Sequence, residues 1–419
     1  MRNAVPHDLP DDVSPDDVVP DDVLIAGGGH VGLALALALR RAAPELAVTL
    51  VDAAPPSRHD GRASAVAAAG RRMLESLGVW DEIAGDSQPI NDMIVTDSRT
   101  RDVVRPVFLT FAGATDDGQP FAHMVMNATM VGALRAAAID CGVTIIAPET
   151  VVDFAIDDMA VSIELGDGRR RSARLLVAAD GVRSRLRDFA GIRTTLWSYG
   201  QSGIVTTVAH QRPHDGRAEE HFLPSGPFAM LPLKGNRSSL VWTERSEDAE
   251  RIISDPLVFQ VELERRFGHR LGDIEPVGQP RAFPLGLLLA ADFVKPRLAL
   301  AGDAEHGIHP SAGQGLNLGF RDVAALAETI VEAHRLGLDI GSLAVLERYE
   351  RWRRFDTYEM GVVTDILNRM FSNDDPALRL VRDVGLGIVD RLPALKRLFI
   401  REAAGGGGAL PRLLRGEAI

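Results

Sequence analysis

A glycine-rich turn near the N-terminus constrains the fold of this chain more than any other feature. The motif Gly-x-Gly-x-x-Gly at 27–32 follows the apolar run 23–26 and opens a run of leucine and alanine over 33–39. A second apolar run begins at Val48 and ends at Asp52. Strand, glycine-rich turn, buried helix and second strand make up the βαβ unit that holds the pyrophosphate of a dinucleotide. We therefore expect a mostly parallel sheet covered by helices on both faces.

Each residue type in this unit has a physical role. The first glycine permits the tight turn, the second lets a pyrophosphate approach the backbone, and the third lets the helix pack against the strand. The start of the helix offers free N–H groups and positive dipole charge, and the acid that ends the second strand can accept hydrogen bonds from a ribose. The motif alone does not distinguish FAD from NAD. The residues predicted to contact the nucleotide here are Gly27, Gly29, His30, Val31, Gly32 and Asp52.

Two later segments indicate which dinucleotide is held. Asp180-Gly181 and Gly302-Asp303 each follow a short apolar strand, and the second pair is followed by a glycine-rich helix start at 313–317. Asp303 can accept a hydrogen bond from a ribityl hydroxyl at the carboxyl edge of the sheet. The helix start can stabilise the negative charge that an isoalloxazine ring gains on reduction. Since the chain has only one dinucleotide fingerprint, we expect bound FAD and a second nucleotide that visits transiently.

Composition excludes several other classes of protein. The chain of 419 residues is 46% hydrophobic and 25% charged, so it can build a core. A single cysteine excludes an intrachain disulfide framework and a cysteine-rich zinc site, and fits a reducing compartment. No uncharged apolar run is long enough to span a membrane, and no secretory signal precedes residue 23. The net charge of −12 makes duplex nucleic acid an unfavourable partner.

The pattern along the chain predicts four regions. Residues 1–22 repeat Pro-Asp-Asp-Val and are expected to be a disordered acidic tail, with order beginning at Val23. Residues 22–192 and 281–345 are expected to form a discontinuous FAD-binding domain, in which 62–77 and 127–141 are predicted helices. The period of two over 197–245 predicts an antiparallel sheet within a substrate domain, 193–280. Residues 346–419 are predicted to be a C-terminal helical region.

These motifs carry a family resemblance. The dinucleotide fingerprint, Asp180-Gly181, and Gly302-Asp303 with its glycine-rich helix start make the chain resemble the single-component (class A) FAD-dependent aromatic hydroxylases. Within that class it is most similar to the ubiquinone-biosynthesis hydroxylases, over roughly residues 22–419. The resemblance implies an α/β fold like that of para-hydroxybenzoate hydroxylase: a Rossmann-like FAD-binding domain, an antiparallel substrate sheet and C-terminal helices. The stretches that carry the closer resemblance are 60–66, 199–201, 226–232, 240–243, 313–319 and 410–416.

The resemblance also implies further FAD contacts. Arg62 would lie near the diphosphate and ribityl chain, Asn127 would add a contact ahead of a helix, and Asp180 would serve both FAD and the nicotinamide. Pro310 would lie at the flavin face, where substrate meets oxygen. Glu305 departs from the family, which usually has a small alanine there. The residues assigned to the ribityl chain and the ring are Gly302, Asp303, Gly313, Gly315, Leu316 and Asn317.

The activity implied by the resemblance is ring hydroxylation. NAD(P)H would reduce FAD, O2 would add at the flavin C4a atom, and the hydroperoxide would pass OH to a polyprenylated phenol in ubiquinone biosynthesis. The cofactor carries the chemistry, so no catalytic side chain is assigned. Two alternatives stay open: a class A hydroxylase of a small soluble aromatic or secondary metabolite, and a non-catalytic flavin-binding scaffold in a biosynthetic complex.

The predicted substrate sheet supplies candidates for the wall that excludes water. Core packing is the competing interpretation for each of them, since sheets bury aromatic side chains in any case. The candidate substrate residues are His221, Phe222, Phe228, Met230 and Trp242.

Two further clusters of polar residues each allow two interpretations. His306 and His309 beside Asp303 and Glu305 suggest a metal site, which we reject because the flavin motif occupies those positions. Arg183, Arg185 and Arg187 form either a phosphate-binding patch for NAD(P)H or a solvated helix face.

The composition of the C-terminal region suggests where in the cell the protein acts. Residues 378–389 and 392–400 are apolar within a basic segment, so these helices either rest on a membrane surface or a lipid-carrying partner, or pack on the core or another subunit. We expect a cytoplasmic enzyme, with peripheral association at the inner membrane, a ubiquinone-biosynthesis complex and a homo-oligomer as further hypotheses.

Overall fold

The computed structural model describes residues 20–55, 61–97, 107–112, 118–308, 314–372, 405 and 409–419. Predictions for the head up to residue 19, for His309, Pro310 and Gly313, and for the apolar stretches 378–389 and 392–400 lie outside the described residues.

The described chain alternates strands and helices through its first half and becomes helical towards its end. The strands are β1 (Asp21–Ala26), β2 (Val48–Val51), β3 (Ala63–Ala67), β4 (Gln88–Ile90), β5 (Asp92–Asp97), β6 (Val107–Ala112), β7 (Ala122–Met126), β8 (Thr144–Ile146), β9 (Val151–Ile156), β10 (Val161–Leu165), β11 (Arg170–Ala178), β12 (Thr194–His210), β13 (Arg217–Leu223), β14 (Gly226–Leu233), β15 (Arg237–Arg245), β16 (Ile274–Ala290), β17 (Val294–Lys295), β18 (Leu298–Leu300) and β19 (His306–Gly307). The helices are α1 (His30–Ala42), α2 (Ala68–Ser76), α3 (Trp80–Ala84), α4 (Asn127–Asp140), α5 (Arg185–Phe189), α6 (Ser246–Ser254), α7 (Pro256–Phe267), α8 (Gln314–Arg335), α9 (Leu343–Phe371) and α10 (Arg412–Arg415).

The first sheet is the predicted nucleotide-binding sheet. Its strands run in the order β17-β18-β11-β1-β2-β8, and β18, β11, β1, β2 and β8 are parallel to one another. β17 pairs antiparallel with β18, and β10 and β9 extend the sheet by antiparallel pairing from β11. Helix α1 is buried from Gly32 to Leu39 because its leucine and alanine side chains leave no polar face. Helix α8 is buried over most of its 22 residues beside α1. The two helices and the sheet share one hydrophobic core. Because β1, β2, β11 and β18 are parallel, the turns that follow them lie at the same edge of the sheet.

The first strand begins earlier than expected. Asp21 and Asp22 belong to β1, so the prediction that the disordered tail extends through residue 22 and that order begins at Val23 is wrong for these two residues. Arg171 donates to both carboxylate oxygens of Asp21, at 2.9–3.1 Å. Arg174 donates to Asp22 at 3.0 Å. Both arginines lie on the neighbouring strand β11, so the order of the two acids depends on residues 150 positions away.

The second sheet is the predicted antiparallel substrate sheet, and it is larger than expected. Its order is β19-β16-β12-β15-β14-β13-β5-β6. Strands β5 and β6 come from the segment that the sequence assigned to the FAD-binding domain, 22–192, and this part of that assignment is wrong. Strand β5 pairs in parallel with β13, Asp92 opposite Arg217. A parallel partner more than 100 residues away leaves no local signal, which is why the pattern missed it.

A third sheet has the strand order β3-β7-β4. Residues 62–77 were predicted to be one helix, but 63–67 form strand β3 and only the remainder is helical. β3 pairs with β7, Ala63 opposite Met126. This pairing decides the conformation, since an alanine-rich segment has little strand propensity of its own.

The C-terminal helices close the nucleotide-binding half. Residues 343–371 form α9, which was expected in the C-terminal helical region. In α10, the Arg412 amide donates to Glu328 of α8 at 2.8 Å and its guanidinium to Glu332 at 2.9 Å. Among the residues that the structure describes, no helix combines the length and the apolar character needed to cross a bilayer.

Candidate active site

A cavity of about 940 Å³ lies between the carboxyl edge of the first sheet and one face of the second sheet. This volume is at the upper end of the range for small-molecule and cofactor sites. Its nucleotide side includes Gly29, His30, Val31, Arg62, Asn127, Gly181, Arg183, Asp303, Gly315 and Leu316. Its sheet side includes Val205, Glu220, Pro227, Ala229, Leu231, Val241, Thr243, Phe283 and Leu285.

The glycine-rich turn has two crowded positions and one open position. Gly27 has φ +118°, and a Cβ atom there would lie 2.1 Å from the carbonyl oxygen of Ala179. A Cβ on Gly32 would lie 1.9 Å from the carbonyl oxygen of Gly27. A Cβ on Gly29 would meet nothing within 4 Å. The first and third glycines are therefore required by the protein itself, whereas the second faces free space in the cavity.

Asp52 lies against the outside of this turn. Its carboxylate accepts a hydrogen bond from Arg135 at 2.7 Å, and a Cβ on Gly28 would lie 2.2 Å from the same carboxylate. Asp52 does not border the cavity described above. The contact of Asp52 with Arg135 of α4 was not predicted, because a single arginine on a helix belongs to no motif. The two residues are 83 positions apart in the sequence, and only the fold brings them together.

The two carboxylate oxygens of Asp180 differ in their hydrogen bonding. Its Oδ2 accepts a hydrogen bond from the backbone N–H of Arg185 at 3.0 Å. Its Oδ1 is buried and has no hydrogen-bond partner within the described part of the chain. Neighbouring Gly181 and Val182 line the cavity. Since buried polar atoms are nearly always hydrogen-bonded, this oxygen suits a hydroxyl or N–H donor of a bound molecule.

The Gly302-Asp303 turn brings a carboxyl group into the cavity. Gly302 has φ +63°, and a Cβ there would lie 2.9 Å from the Val31 side chain, so the turn packs against the glycine-rich loop. The Asp303 side chain is exposed to the space of the cavity, and protein atoms surround it on its other sides. Burial raises the pKa of Asp303 above its ordinary value, partly offset by the positive charges of His306 and Arg62. A hydroxyl donor at this carboxyl group would be favoured.

Arg62 and Asn127 meet although 65 residues separate them. They flank the paired strands β3 and β7, and the Asn127 amide donates to the carbonyl of Arg62 at 2.9 Å. Ser64 donates to the Asn127 side chain at 2.8 Å. The Arg62 guanidinium lies 5.4 Å above the Phe283 ring, on the far side of the cavity.

The residues at the start of α8 have two different environments. Gly315 and Leu316 line the cavity. Asn317 does not: its side-chain oxygen accepts a hydrogen bond from Ala67 at 2.8 Å, and its side-chain nitrogen donates to Ala65 at 2.9 Å. The prediction that places Asn317 at a flavin ring is thereby limited to its backbone, because its amide group joins α8 to β3.

Four of the five predicted substrate side chains lie on the face of the second sheet that is turned away from the cavity. Phe228, Met230 and Trp242 belong to a core formed with α6 and α7, where the Trp242 ring lies 5.9 Å from both Phe228 and Phe259. His221 bonds to Thr96 at 2.6 Å. Phe222 is on the cavity-facing side of β13, opposite Pro227, but it is not among the residues that line the cavity. Successive side chains on a strand point to opposite faces, and a sequence with apolar residues on both faces does not reveal which one meets the ligand.

The comparison with protein families identifies the chain. The family described as FAD binding domain matches residues 21–355, which includes all three strand-ending turns. The chain belongs to this family. The predicted resemblance to the class A FAD-dependent aromatic hydroxylases is confirmed, and the protein is an FAD-dependent monooxygenase.

Relatives place this hydroxylase close to the ubiquinone-biosynthesis branch. It is 48% identical to ubiquinone hydroxylase UbiL of Rhodospirillum rubrum, over 95% of this chain and 93% of that protein. It is 36% identical to the 3-demethoxyubiquinol 3-hydroxylase of Escherichia coli, over 91% of this chain and 98% of that one. It is 31% identical to the mitochondrial ubiquinone biosynthesis monooxygenase COQ6 of Mus musculus, covering 91% and 90% of the two chains.

Solved structures confirm the fold. The p-nitrophenol 4-monooxygenase PnpA from Pseudomonas putida superposes with a TM-score of 0.78 at 20% identity, over 93% of this chain and 99% of that one. PqsL from Pseudomonas aeruginosa superposes with a TM-score of 0.75 at 22% identity, over 88% and 99%. The predicted para-hydroxybenzoate-hydroxylase-like α/β architecture is therefore correct.

The cavity of this hydroxylase fits FAD in three respects. The open space at Gly29 leaves room for a diphosphate, which the helix N-terminus of α1 would stabilise. The unpaired Asp180 oxygen and the cavity-facing Asp303 carboxyl group provide acceptors for hydroxyl groups.

Glu305 lies in a buried network of ionisable side chains. Glu305, His306, Asp322 and Tyr349 have no exposed side-chain surface. Asp322 bonds to His306 at 2.6 Å and accepts from Arg353 at 2.8 Å. Burial by itself lowers the pKa of His306, but the Asp322 carboxylate raises it above its ordinary value. Burial and the Asp322 charge raise the pKa of Glu305 to about 8.

The hydrogen bonds around Glu305 agree with a neutral side chain. The Tyr349 hydroxyl lies 2.7 Å from Glu305 and 2.9 Å from the carbonyl of Leu300. One hydroxyl hydrogen serves one acceptor, so a protonated Glu305 donating to Tyr349 lets Tyr349 donate to Leu300. Glu305, His306 and Asp322 also present metal-ligand atoms within 4.8 Å of one another. The Arg353 guanidinium already supplies the positive charge there, which disfavours a cation.

The three arginines after Asp180 do not form a single patch. Arg187 is buried and donates to the carbonyl of Ala304 at 3.0 Å. Arg185 stacks on Phe189. Arg183 borders the cavity. Neither a three-residue phosphate site nor a uniformly solvated helix face describes them, because Arg183 precedes α5 and the two arginines of α5 have different partners.

Proposed function

We propose that this hydroxylase oxidises the ring of a polyprenylated phenol in ubiquinone biosynthesis, with NAD(P)H as electron donor and O2 as the oxygen source. The observation that carries the proposal is the continuous cavity, which joins the nucleotide turn to a wall of apolar side chains on the second sheet. The names of the relatives support the pathway.

Different parts of the cavity have different tasks in this proposal. Gly29, Asp180 and Asp303 hold FAD through backbone and carboxylate contacts, and Gly315 and Leu316 lie beside its ring. When bound, FAD takes electrons from NAD(P)H and supplies an activated oxygen atom. Val205, Ala229 and Val241 exclude water from the reacting ring, which limits unproductive loss of oxidant as peroxide.

The mouth of the cavity favours a substrate with an isoprenoid tail over a small soluble aromatic. Leu196 and Phe283 both line the cavity and are 66% and 36% exposed. Large apolar side chains at an open rim are energetically unfavourable in water unless a ligand or partner covers them. A polyprenyl chain leaving the cavity would cover both.

Helix α9 provides support for a peripheral membrane position. Phe355, Val362 and Ile366 are spaced 7 and 4 residues apart, so they share one helix face, and each is at least half exposed. We propose that this face rests on the bilayer surface that dissolves the substrate. In liposome co-sedimentation, full-length Ile366→Glu protein should bind less than wild type. Leu257→Glu, at a similarly exposed site on α7, is the control; equal binding by all three proteins would contradict the proposal.

Stopped-flow reduction of the holoenzyme by NADPH tests the activity. A prenylated phenol should accelerate flavin reduction and yield a hydroxylated product. Acceleration by short polar phenols alone would favour the soluble-substrate alternative. Absence of reduction with any phenol would favour the scaffold alternative.

A further inference from the structure

One acidic side chain faces the cavity from the second sheet. Among the described residues that line the cavity from this sheet, Glu220 is the ionisable one. It lies on β13, opposite Val95 of β5 and Ala229 of β14. Its neighbours on the cavity face are therefore mainly apolar. The sequence did not single out Glu220, because Glu219 beside it is also acidic and only the register decides which of the two faces inward.

The Glu220 carboxyl group has no hydrogen-bond or ion-pair partner among the residues that the structure describes. Its side chain is 6% exposed, and within the described chain no hydrogen bond or ion pair to it exists. Glu219 differs, since it points to the other face and pairs with Arg270 at 2.6 Å. Burying a carboxyl group without a hydrogen-bond partner in apolar surroundings is energetically costly, as it is for other polar groups. A cost of this kind is typical of a group that meets a ligand.

The protonation state of Glu220 is adjustable near neutral pH. Burial raises the pKa of the Glu220 carboxyl group to about 7. Strand alternation places Asp97 of β5 on the same face, two residues beyond Val95. Across the cavity, the ionisable lining residues are His30, Arg62, Arg183 and Asp303.

We propose that Glu220 binds the hydroxyl group of the phenolic substrate and acts as its general base. This inference rests on the proposed function. As the ring is attacked, the phenol O–H bond breaks and its proton moves to a Glu220 oxygen, while the electron pair stays on the phenol oxygen and enriches the ring. When aromaticity is restored, the hydroxylated ring carbon loses its hydrogen as a proton, which passes to the oxygen atom that the oxidant retains, and the phenol oxygen recovers the proton from Glu220. Glu220 therefore ends the turnover as it began. Glu220 is thus a catalytic residue of the sheet wall.

Ligand binding to the oxidised holoenzyme tests this without turnover. The probes are 2-geranylphenol and its methyl ether, which lacks the hydroxyl hydrogen, and binding is followed by flavin fluorescence. Wild-type protein at pH 8 should prefer the phenol by about tenfold or more, as for a hydrogen bond to a charged group. Glu220→Leu should reduce the preference to about onefold, and Glu219→Gln, the matched control on the other face, should retain it.

The pH dependence separates a base from a packing residue. In wild type the preference for the phenol should increase from pH 6 to pH 8 as Glu220 ionises, and single-turnover hydroxylation should accelerate over the same range. Glu220→Gln, which keeps the shape, should make both profiles flat while leaving flavin content unchanged.

The outcomes distinguish the two proposals. If wild type binds both probes but Glu220→Leu keeps the preference, Glu220 is not the hydroxyl partner and the inference is overturned. If wild type binds neither probe, the proposed substrate class fails and the inference falls with it.

Discussion

The two walls of the cavity are built in opposite ways. The nucleotide side of the cavity, called the nucleotide wall below, is formed largely by backbone atoms and small residues. The turn that supports it requires Gly27 and Gly32, because a Cβ atom at these positions would lie only 2.1 and 1.9 Å from a carbonyl oxygen. On the sheet wall, side chains decide what the ligand meets, as with Val205, Glu220 and Val241.

This difference explains which residues a sequence can reveal. A required glycine leaves a mark at a fixed spacing, since no other residue fits the turn. A wall made of alternating side chains leaves two candidate sets, and the larger aromatic set proved to be the core. The nucleotide wall is therefore less tolerant of substitution and the sheet wall is more adaptable.

The strongest test of the comparison is Gly32→Val on the nucleotide wall. Its side chain would clash with the Gly27 carbonyl, so we expect loss of folded, flavin-containing protein in expression yield and absorbance. Gly29→Ala meets open space and should fold normally, with circular dichroism and a melting temperature like those of wild type. Its flavin content should be reduced if a diphosphate occupies that space. A folded Gly32→Val protein with normal flavin would contradict this description of the wall.

Asp303→Ala tests the acidic part of the same wall. We expect purified protein without yellow colour, because the carboxyl group that faces the cavity is lost. Asp303→Asn, which keeps a hydrogen-bonding side chain, should retain part of the flavin. Normal flavin absorbance in Asp303→Ala would refute the assignment of Asp303 to FAD.

Substitutions on the two faces of β15 sharpen the comparison from the sheet side. Trp242→Ala should destabilise the protein by about 3–5 kcal/mol, since a fully buried indole leaves a large cavity in the core. Neighbouring Val241→Ala should cost less stability but change the affinity for a phenolic ligand. Urea unfolding and ligand titration measure the two effects. A weaker affinity in Trp242→Ala with unchanged stability would reverse our assignment of the faces.

The smallest expected effect concerns Glu305, behind the nucleotide wall. Its raised folded-state pKa of about 8 means that its contribution to stability is present below the ordinary carboxyl pKa and is lost as pH rises towards 8. Glu305→Gln should therefore melt like wild type near pH 5 and decline less steeply between pH 6 and 8. Parallel melting curves for the two proteins across this range would argue against a neutral Glu305.

Prediction from sequence succeeded where local patterns suffice. The βαβ unit, a helix that starts within 313–317 and the antiparallel sheet were all expected and are observed. Strand β3 was mistaken for helix because its identity depends on pairing with β7, 59 residues later. The tail boundary was misplaced because Asp21 is ordered by Arg171.

By itself, the sequence determined the family, the cofactor and the glycine-rich βαβ unit, since these depend on glycines and acids at spacings that the turn geometry imposes. Only the tertiary structure decided which face of the second sheet meets the cavity, that β5 joins that sheet, and that Glu305 is enclosed with Tyr349 and Asp322. The physical reason is that strand register and side-chain facing are set by partners distant in the chain. Glu219 and Glu220 show the consequence, since they are chemically identical neighbours on one strand. Because successive side chains point to opposite faces, Glu219 forms an ion pair with Arg270 whereas Glu220 faces the cavity.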